Sequence, residues 1–438
     1  MLNRRSFLQT AGAACAAVAA PAFVRGRNLN SRLQLAGIGC EAKGFSDISE
    51  MASHAQTQFV GFCDVDLSRT ERVRKLAPDA PVHQDFRDML AELGDNVDAV
   101  TVSTPDHMHA FIGLEAMQQG KHVYCQKPLT HNVWEARQMT RQAKKSGVIT
   151  RMGNQIHSHS FYRTGVQAVQ AGTIGKVKAV HSWCGSPGHG KSFHISRPEN
   201  PVAPPESLDW DLWVGVAPMR PFGKWLVYHP WGWRDWQDFG NGALGDFGCH
   251  ILDPVFTALK IDGAPFDFVA DHTGMNREVW PAQSTVSFTF PGTEYTTGDV
   301  LPITWNDGGR LPRERGPHLP SSEGLPGSGS LFIGETGSMV LPHVGAPRLY
   351  PGADIETLPS LNHYHGWVDG CLSGEQPSDG FDYGGPLTEA VLLGNIAVRY
   401  RGTKLAWDPE AMKITNHEEA NQWIRRDYRD GWDIAPVT

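Results

Sequence analysis

The stretch "GNGALGDFGCHILD", residues 240–253, carries an aspartate, a histidine and a second aspartate at spacings that a helix turns into one face. Asp246, His250 and Asp253 fall at i, i+4 and i+7 and share that face. An imidazole with a carboxylate one turn away is a ready general base, because the carboxylate orients the ring and adjusts its pKa. Glycines at 240, 242, 245 and 248 leave room for a ligand to approach. A second cluster, "CQKPLTHN" at 125–132, ends an apolar run and places Lys127 before Pro128. An ammonium group there would contact a substrate hydroxyl and favour a developing alkoxide, which lowers the barrier to loss of hydride. Lys127, Asp246 and His250 are the candidate catalytic set. The bland reading of the same residues is a helix N-cap, a packed core histidine and a lysine in a solvated loop.

Loss of hydride needs an acceptor, and "LQLAGIGCEAKGFSDI" at 33–48 has the layout of a turn that holds one. An apolar strand runs into Gly37 and Gly39, and Gly44 stands where a helix begins, so backbone N–H groups can receive a dinucleotide pyrophosphate. Asp64 follows Gly39 by 25 residues, at the end of the next strand. A carboxylate there accepts hydrogen bonds from an adenosine ribose and repels the 2′-phosphate of NADP, so the expected cofactor is NAD. Glu41 and Ala42 interrupt the pattern: a carboxylate near the pyrophosphate is unfavourable, and a Cβ blocks close backbone approach. Lys43 could pair with the phosphate or with Glu41. "STPDHMH" at 103–109 ends another strand and adds Thr104 and Pro105 to the crevice.

These clusters require a sheet to present them. From 33 to about 150, short apolar runs alternate with amphipathic helical patterns, which predicts βαβ units and a doubly wound parallel sheet of six strands with five short crossovers. Gly120 and Gly147 are expected helix C-caps. After 154 the runs "KVKAVHSWCG", "PAQSTVSFTFPG", "TEYTTGDV", "GSLFIGETGSMVLP" and "PRLYPG" alternate and are joined by Gly/Pro turns, so an open, mostly antiparallel sheet is expected. The fold class is α/β. Its expected parts are an export signal at 1–27, a Rossmann dinucleotide-binding domain at 31–153 and an α/β substrate and oligomerisation domain at 154–438. Residues 185–240 form a long Pro/Gly/Trp-rich stretch, and six of the fourteen tryptophans lie between 210 and 236. Flat rings there suit the C–H faces of a sugar, or interdomain packing.

The bulk numbers remove other classes. A net charge of −8 leaves no electrostatic footprint for nucleic acid or an anionic membrane. Arg4-Arg5 ahead of "SFL" and an Ala-rich run to Phe23 read as a twin-arginine export signal, and that run is too short to span a bilayer. The seven cysteines have no C-x-x-C spacing, so neither a disulfide framework nor a structural zinc site is expected.

The order of glycine turn, "CDVD", "STPDHMHA", "GKHVYCQKPLTHN", "RMGNQ" and "GALGDFGCHILD" resembles the Gfo/Idh/MocA oxidoreductases, and most of all their exported, sugar-acting members. The resemblance implies a Rossmann domain followed by an α/β domain whose open sheet is often used for oligomer contacts, so a homo-oligomer is expected. It implies a nicotinamide cofactor and a sugar, polyol or glycoside substrate. By similarity the family's Glu-Lys-Pro lysine falls on Lys127, its Asp-x-x-x-His pair falls on Asp246 and His250, and His109 and Gln155 line the nicotinamide end. The Glu of that motif is Gln126 here, which still hydrogen-bonds a ribose or an amide. An exported enzyme finds no free nicotinamide outside the cytoplasm. It must hold its cofactor tightly and restore its redox state within the site, by oxidising one sugar while reducing another or by transient oxidation that permits glycoside cleavage. Two other readings compete. One is a cofactor-independent lyase or hydrolase using a metal on His157, His159, His363 and His365; the other is a non-catalytic sugar-binding protein.

Overall fold

The computed structural model describes residues 32–185, 196–224 and 226–437; the expected export signal and part of the Trp-rich stretch lie outside them. The strands β1 (Leu33–Ile38), β2 (Thr57–Cys63), β3 (Val82–His83), β4 (Ala99–Val102), β5 (His122–Gln126) and β6 (Thr150–Gly153) form one sheet in the order β3-β2-β1-β4-β5-β6. All its pairings are parallel. β1, β4 and β6 are buried almost throughout, as a sheet covered on both faces demands. The intervening helices are α1 (Lys43–Ala52), α2 (Glu71–Leu76), α3 (Phe86–Leu93), α4 (Asp106–Gln118) and α5 (Val133–Ser146). A capping box between Asn132 and Glu135 starts α5, and Gly147 at φ 66° ends it. Register levels the strand ends: Ile38 stands opposite both Cys63 and Val102, and Val102 opposite Cys125. The turns after these strands therefore meet along one edge.

Helix α6 (Ser160–Gln170) leads to a second sheet built from β7 (Val177–Cys184), β8 (Asp267–His272), β9 (Ser284–Pro291), β10 (Val300–Asn306), β11 (Ser328–Gly334), β12 (Ser338–Pro342), β13 (Arg348–Tyr350), β14 (Leu405–Asp408) and β15 (Lys413–Ile414). Its order is β13-β12-β11-β7-β10-β9-β8-β14-β15, and only β7 with β10 is parallel. "TEYTTGDV" does not form a strand over its length. Thr296 folds back onto Thr293 and Gly298 through its hydroxyl, and β10 starts at Val300. The short α7 (Trp210–Val214) lies in the Trp-rich stretch, and α8 (Gly242–Leu259), α9 (His363–Ser373) and α10 (Phe381–Arg399) complete the chain's helices among the described residues.

Both sheets lie within one compact unit, Leu33–Thr438, and a single apolar core runs from Ala36 and Val102 through Val255 to Phe288. Polar clasps join the two parts. Arg137 of α5 grips Glu389 of α10. Arg151 of β6, nearly inaccessible, holds Asp379 at 2.8 Å and donates to the His363 carbonyl at 2.6 Å. The cysteines at 40, 63, 125, 184, 249 and 371 are all buried and unpaired with one another. Burial pushes the thiols of Cys40, Cys63 and Cys125 well up, and that of Cys249 up to about 12. Among the described residues no helix is long and apolar enough to cross a membrane.

Arg151→Met leaves the Asp379 carboxylate buried without its cation, so stability is expected to fall by about 3–5 kcal/mol. A urea midpoint equal to that of the parent would show that the two charges are not coupled.

Candidate functional site

At the end of β1 the glycines act by making room. A Cβ on Gly37 would lie 2.7 Å from Ile48 of α1, and one on Gly44 would lie 2.0 Å from the Gly39 carbonyl oxygen. Gly39 itself has φ +87° and packs on the Ser103 backbone. The amino end of α1 is thereby pressed against the turn. Its first backbone bonds run from Gly44 N–H to Glu41 O and from Ser46 N–H to Ala42 O, which leaves the N–H groups of Glu41, Ala42 and Lys43 ahead of the helix ladder. Ala42 takes φ +51°, a conformation where glycine would be unstrained. The Glu41 carboxylate reaches Arg72 Nη1 at 3.3 Å. Lys43 borders the crevice but is paired away from Glu41. It donates to Tyr364 OH at 2.6 Å and pairs with the buried Asp47 at 2.7 Å. Asp64 stands one residue past β2. Its Oδ2 accepts the Cys40 N–H at 2.9 Å and its Oδ1 the Asp66 N–H at 3.0 Å, and each oxygen keeps a lone pair for a ribose hydroxyl. Burial pushes this carboxyl up to about 6 against those two backbone bonds. A turn with no space for a Cβ at Gly39 or Gly44, an acidic intruder drawn to a cation, and a carboxylate at the second strand end together fit a dinucleotide.

A cavity of about 380 Å³ runs from Asp64 along the strand ends to Lys127 and His250. Gly39, Thr104, Pro105, Gln126, Gln155 and Asp246 also border it. Thr104 Oγ1 is buried with no partner among the described residues, an orphan that a ligand could satisfy. Gln126 donates to Asp47 and Gln155 to Tyr124 OH, each at 2.8 Å. Three of the expected cofactor residues do not border the cavity. Gly37 and Gly44 lie beneath it, where they let α1 approach. His109, expected at the nicotinamide end, is 1% exposed, and its ring nitrogens lie 2.8 Å from the Pro128 and Thr104 carbonyls. Burial lowers it to about 4, and it ties two strand-end turns together.

The catalytic candidates converge, with a different pairing. Lys127 Nζ donates to Asp246 Oδ1 at 2.7 Å and to the Asp246 carbonyl at 2.6 Å. The carboxylate expected to orient His250 thus holds the lysine, which arrives from β5. His250 Nδ1 is bonded instead to Asn154 Oδ1. The Asn154 amide nitrogen donates to the Cys249 carbonyl at 3.0 Å and to Asp253 Oδ2 at 2.6 Å, so its oxygen must be the acceptor. His250 therefore carries its proton on Nδ1 and leaves a lone pair on Nε2. Burial, then the Lys127 charge, hold this imidazole well below its ordinary pKa, so it is neutral at pH 7. Lys127 is itself lowered to about 8 by burial, with Asp106 opposing.

Sequence reasoning passed over Asn154 because an amide has no acid–base chemistry of its own, although "RMGNQ" marked the place. It also missed a strap. Leu67 and Asp209 donate backbone bonds to Ser207 and Val65, and His229 Nε2 reaches Asp66 at 2.9 Å, so 207–209 and His229 lie across the end of β2. Of the tryptophans in the Trp-rich stretch, Trp210, Trp213, Trp233 and Trp236 pack in one cluster, and Trp213, Trp231 and Trp233 border the cavity. The histidines of the metal alternative have separate partners: His157 pairs with Asp253, His159 caps α6 and His365 meets Ser53. Among the described residues no three His, Cys, Asp or Glu side chains are grouped to hold a metal.

A family model described as the NAD-binding Rossmann fold of the Gfo/Idh/MocA oxidoreductase family matches residues 34–154, and one for that family's C-terminal alpha/beta domain matches 174–290. The twin-arginine translocation pathway signal sequence matches residues 1–21, which indicates export. A 1,5-anhydro-D-fructose reductase of Ensifer adhaerens is 34% identical over 184 residues, 42% of this chain and 44% of that protein. A glycosyl hydrolase family 109 protein of Shewanella putrefaciens (strain CN-32 / ATCC BAA-453) is 22% identical over 298 residues, 61% of this chain and 58% of that one. The chain thus spans less than two thirds of the length of these relatives. Among solved structures, the WlbA dehydrogenase from Bordetella pertussis in complex with NADH and UDP-GlcNAcA has a TM-score of 0.60 at 15% identity, covering 86% of this chain and 99% of that one. The aldose-aldose oxidoreductase from Caulobacter crescentus has a TM-score of 0.58 at 16% identity, with the same coverage. At such identity these likenesses show the fold.

Gly44→Ala forces a methyl into the Gly39 carbonyl and is expected to weaken NAD binding by at least about tenfold, read by calorimetric titration. Ribose hydroxyls favour the ionised Asp64, so affinity for NAD is expected to hold above pH 6 and to fall as pH drops through about 6. An affinity that is flat from pH 7 to 5 would remove Asp64 from the ribose.

Proposed function

The chain belongs to the Gfo/Idh/MocA oxidoreductase family, and on that premise we propose that it is an exported, NAD-dependent oxidoreductase of the periplasm acting on a sugar, polyol or glycoside with a cofactor it does not release. The proposed parts are a Rossmann domain at 31–153 and a substrate domain at 154–438. The observation that carries the reading is the meeting of Lys127 and the free Nε2 face of His250 at the strand-end crevice that begins at Gly39 and Asp64.

When bound, the nicotinamide supplies a reversible two-electron acceptor for a hydroxyl-bearing carbon. The rest falls to side chains. His250 Nε2 accepts the proton of that hydroxyl, and Asn154 keeps the ring in the tautomer that permits it. The Lys127 ammonium steadies the alkoxide, and Asp246 fixes the ammonium from behind. Gln126 and Gln155 hold the carboxamide and ribose end, beside Thr104 and Pro105. NAD is favoured over NADP because Asp64 would meet a 2′-phosphate as a like charge. Retention is supported by the strap that Asp66 and His229 clasp over the crevice, with Trp213 and the C-terminal Trp432 beside it. A retained cofactor suits either exchange between two sugars or cleavage through transient oxidation. The named activities of the relatives, a reductase and a glycosyl hydrolase, are consistent with both.

Protein purified without added nucleotide is expected to release NAD(H) on denaturation, detected by mass. Its absence, with no binding on titration, would end this reading. Because His250 is already neutral and Lys127 must stay charged, kcat/KM is expected to be level through neutral pH and to fall as pH rises through about 8. Lys127→Ala is expected to lower kcat by about 10²–10³-fold and to abolish the alkaline limb. In Asn154→Asp a carboxylate faces the imidazole and raises its pKa, so an acid limb is expected to move towards neutrality. An unshifted profile would take Asn154 out of the proton transfer.

A further inference from the structure

Resting on the reading that this crevice takes a sugar, we propose that Arg234 is the recognition site for an anionic substituent, so that the substrate is an acidic sugar bearing a carboxylate or phosphate. Arg234 lies in the short turn Gly232–Asp235 and borders the cavity beside Lys127 and Asp246. Its guanidinium carbon is 4.3 Å from the centre of the Trp231 ring and 4.3 Å from that of Trp233, so two indoles fix its plane. Its backbone is fixed as well: a Cβ on Gly240 would come within 2.6 Å of Arg234 Cα. The side chain is 19% exposed, and what shows opens on the cavity.

A cation held this way in a protein interior ordinarily has a carboxylate on its fork. Arg234 does not. Nη1 donates to the Trp231 carbonyl at 3.2 Å, and Nε lies 4.0 Å from Asp246 Oδ1, beyond hydrogen-bond reach. Of three nearby carboxylates, Asp246 is engaged by Lys127 and Asp106 by the backbone and side-chain N–H groups of Asn241, and Asp235 is the buried neighbour of Arg234 on the same turn. The remaining guanidinium N–H groups find no acceptor among the described residues. A planar fork with unused donors matches the paired oxygens of a carboxylate or phosphate. Trp231, 46% exposed, offers a flat face for the ring that carries the group.

The test measures binding and turnover by the holoenzyme for matched pairs: glucuronate with glucose, galacturonate with galactose, and glucose 6-phosphate. At least one acidic sugar is expected to bind about tenfold or more tightly than its neutral partner. Preference for a uronate or for the phosphate identifies the group. In Arg234→Gln the ratio is expected to fall to about one, and in Arg234→Lys, which keeps the charge and loses the fork, to an intermediate value. Neutral sugars bound as tightly as acidic ones in every pair by the unaltered protein, or a ratio unmoved in Arg234→Gln, would overturn the proposal. Turnover of neutral sugars alone would sink the anion site and leave the oxidoreductase reading standing. A holoenzyme that neither binds nor turns over any sugar would sink both.

Discussion

A carboxylate taken out of water must be surrounded by donors, and Asp253 is fully buried. It has gathered Asn154 from the end of β6, His157 from the turn that follows, Tyr162 from α6 and Tyr383 from α10. Burial alone would lower His157, yet the Asp253 charge and hydrogen bond, with the Asp379 charge, together raise the imidazole. Elements from both parts of the molecule are therefore bound to one turn of α8. His250 lies one turn earlier on the same helix, and its Nδ1 bond is to the same Asn154 amide. Withdraw the Asp253 charge and only the Cys249 carbonyl still holds the amide nitrogen away from His250.

Much of the architecture could be read in advance, for reasons that are local. A parallel sheet is legible because strands buried on both faces are apolar nearly throughout, and helix ends are legible because Gly147 and the Asn132–Glu135 box act within a few residues. The open sheet was legible in part from its alternation: β8, β14, β15 and nearly all of β10 went unread, and in "TEYTTGDV" threonine hydroxyls satisfy the backbone as a turn instead of a ladder. The site was legible as a set of positions and illegible as a set of bonds. Helical spacing correctly puts Asp246 and His250 on one face of α8. It cannot say that a lysine 119 residues earlier will take the carboxylate first. His109, which the resemblance set at the nicotinamide end, has its ring between two backbone carbonyls that no spacing announced.

The acidic residue in the glycine turn has a similar resolution. Glu41 stands where a phosphate would repel it, and Arg72, on the next helix, draws it aside while stacking on Phe45 at 3.6 Å. Lys43, the cation closest in sequence, is occupied with Asp47, itself the acceptor for Ser103, Gln126 and Tyr364. Two buried carboxylates, Asp47 under the turn and Asp253 under α8, thus organise the two ends of the crevice by the same physics. The Trp-rich stretch divides along similar lines. Most of its described rings build a core of their own, with Trp210 and Trp213 stacked at 4.6 Å; Trp213 and Trp233 of that core reach the cavity, where Trp231 stands exposed beside them.

The thiols have a consequence for when this protein becomes whole. Every cysteine among the described residues is a buried thiol, and Cys40, Cys63, Cys125 and Cys249 are too weakly acidic to offer a nucleophilic sulfur at physiological pH. Nothing in the fold waits for a cross-link that only an oxidising compartment could make. On the reading proposed above, the polypeptide can reach its finished shape in reducing surroundings, where the nucleotide is present in quantity, and be exported already loaded.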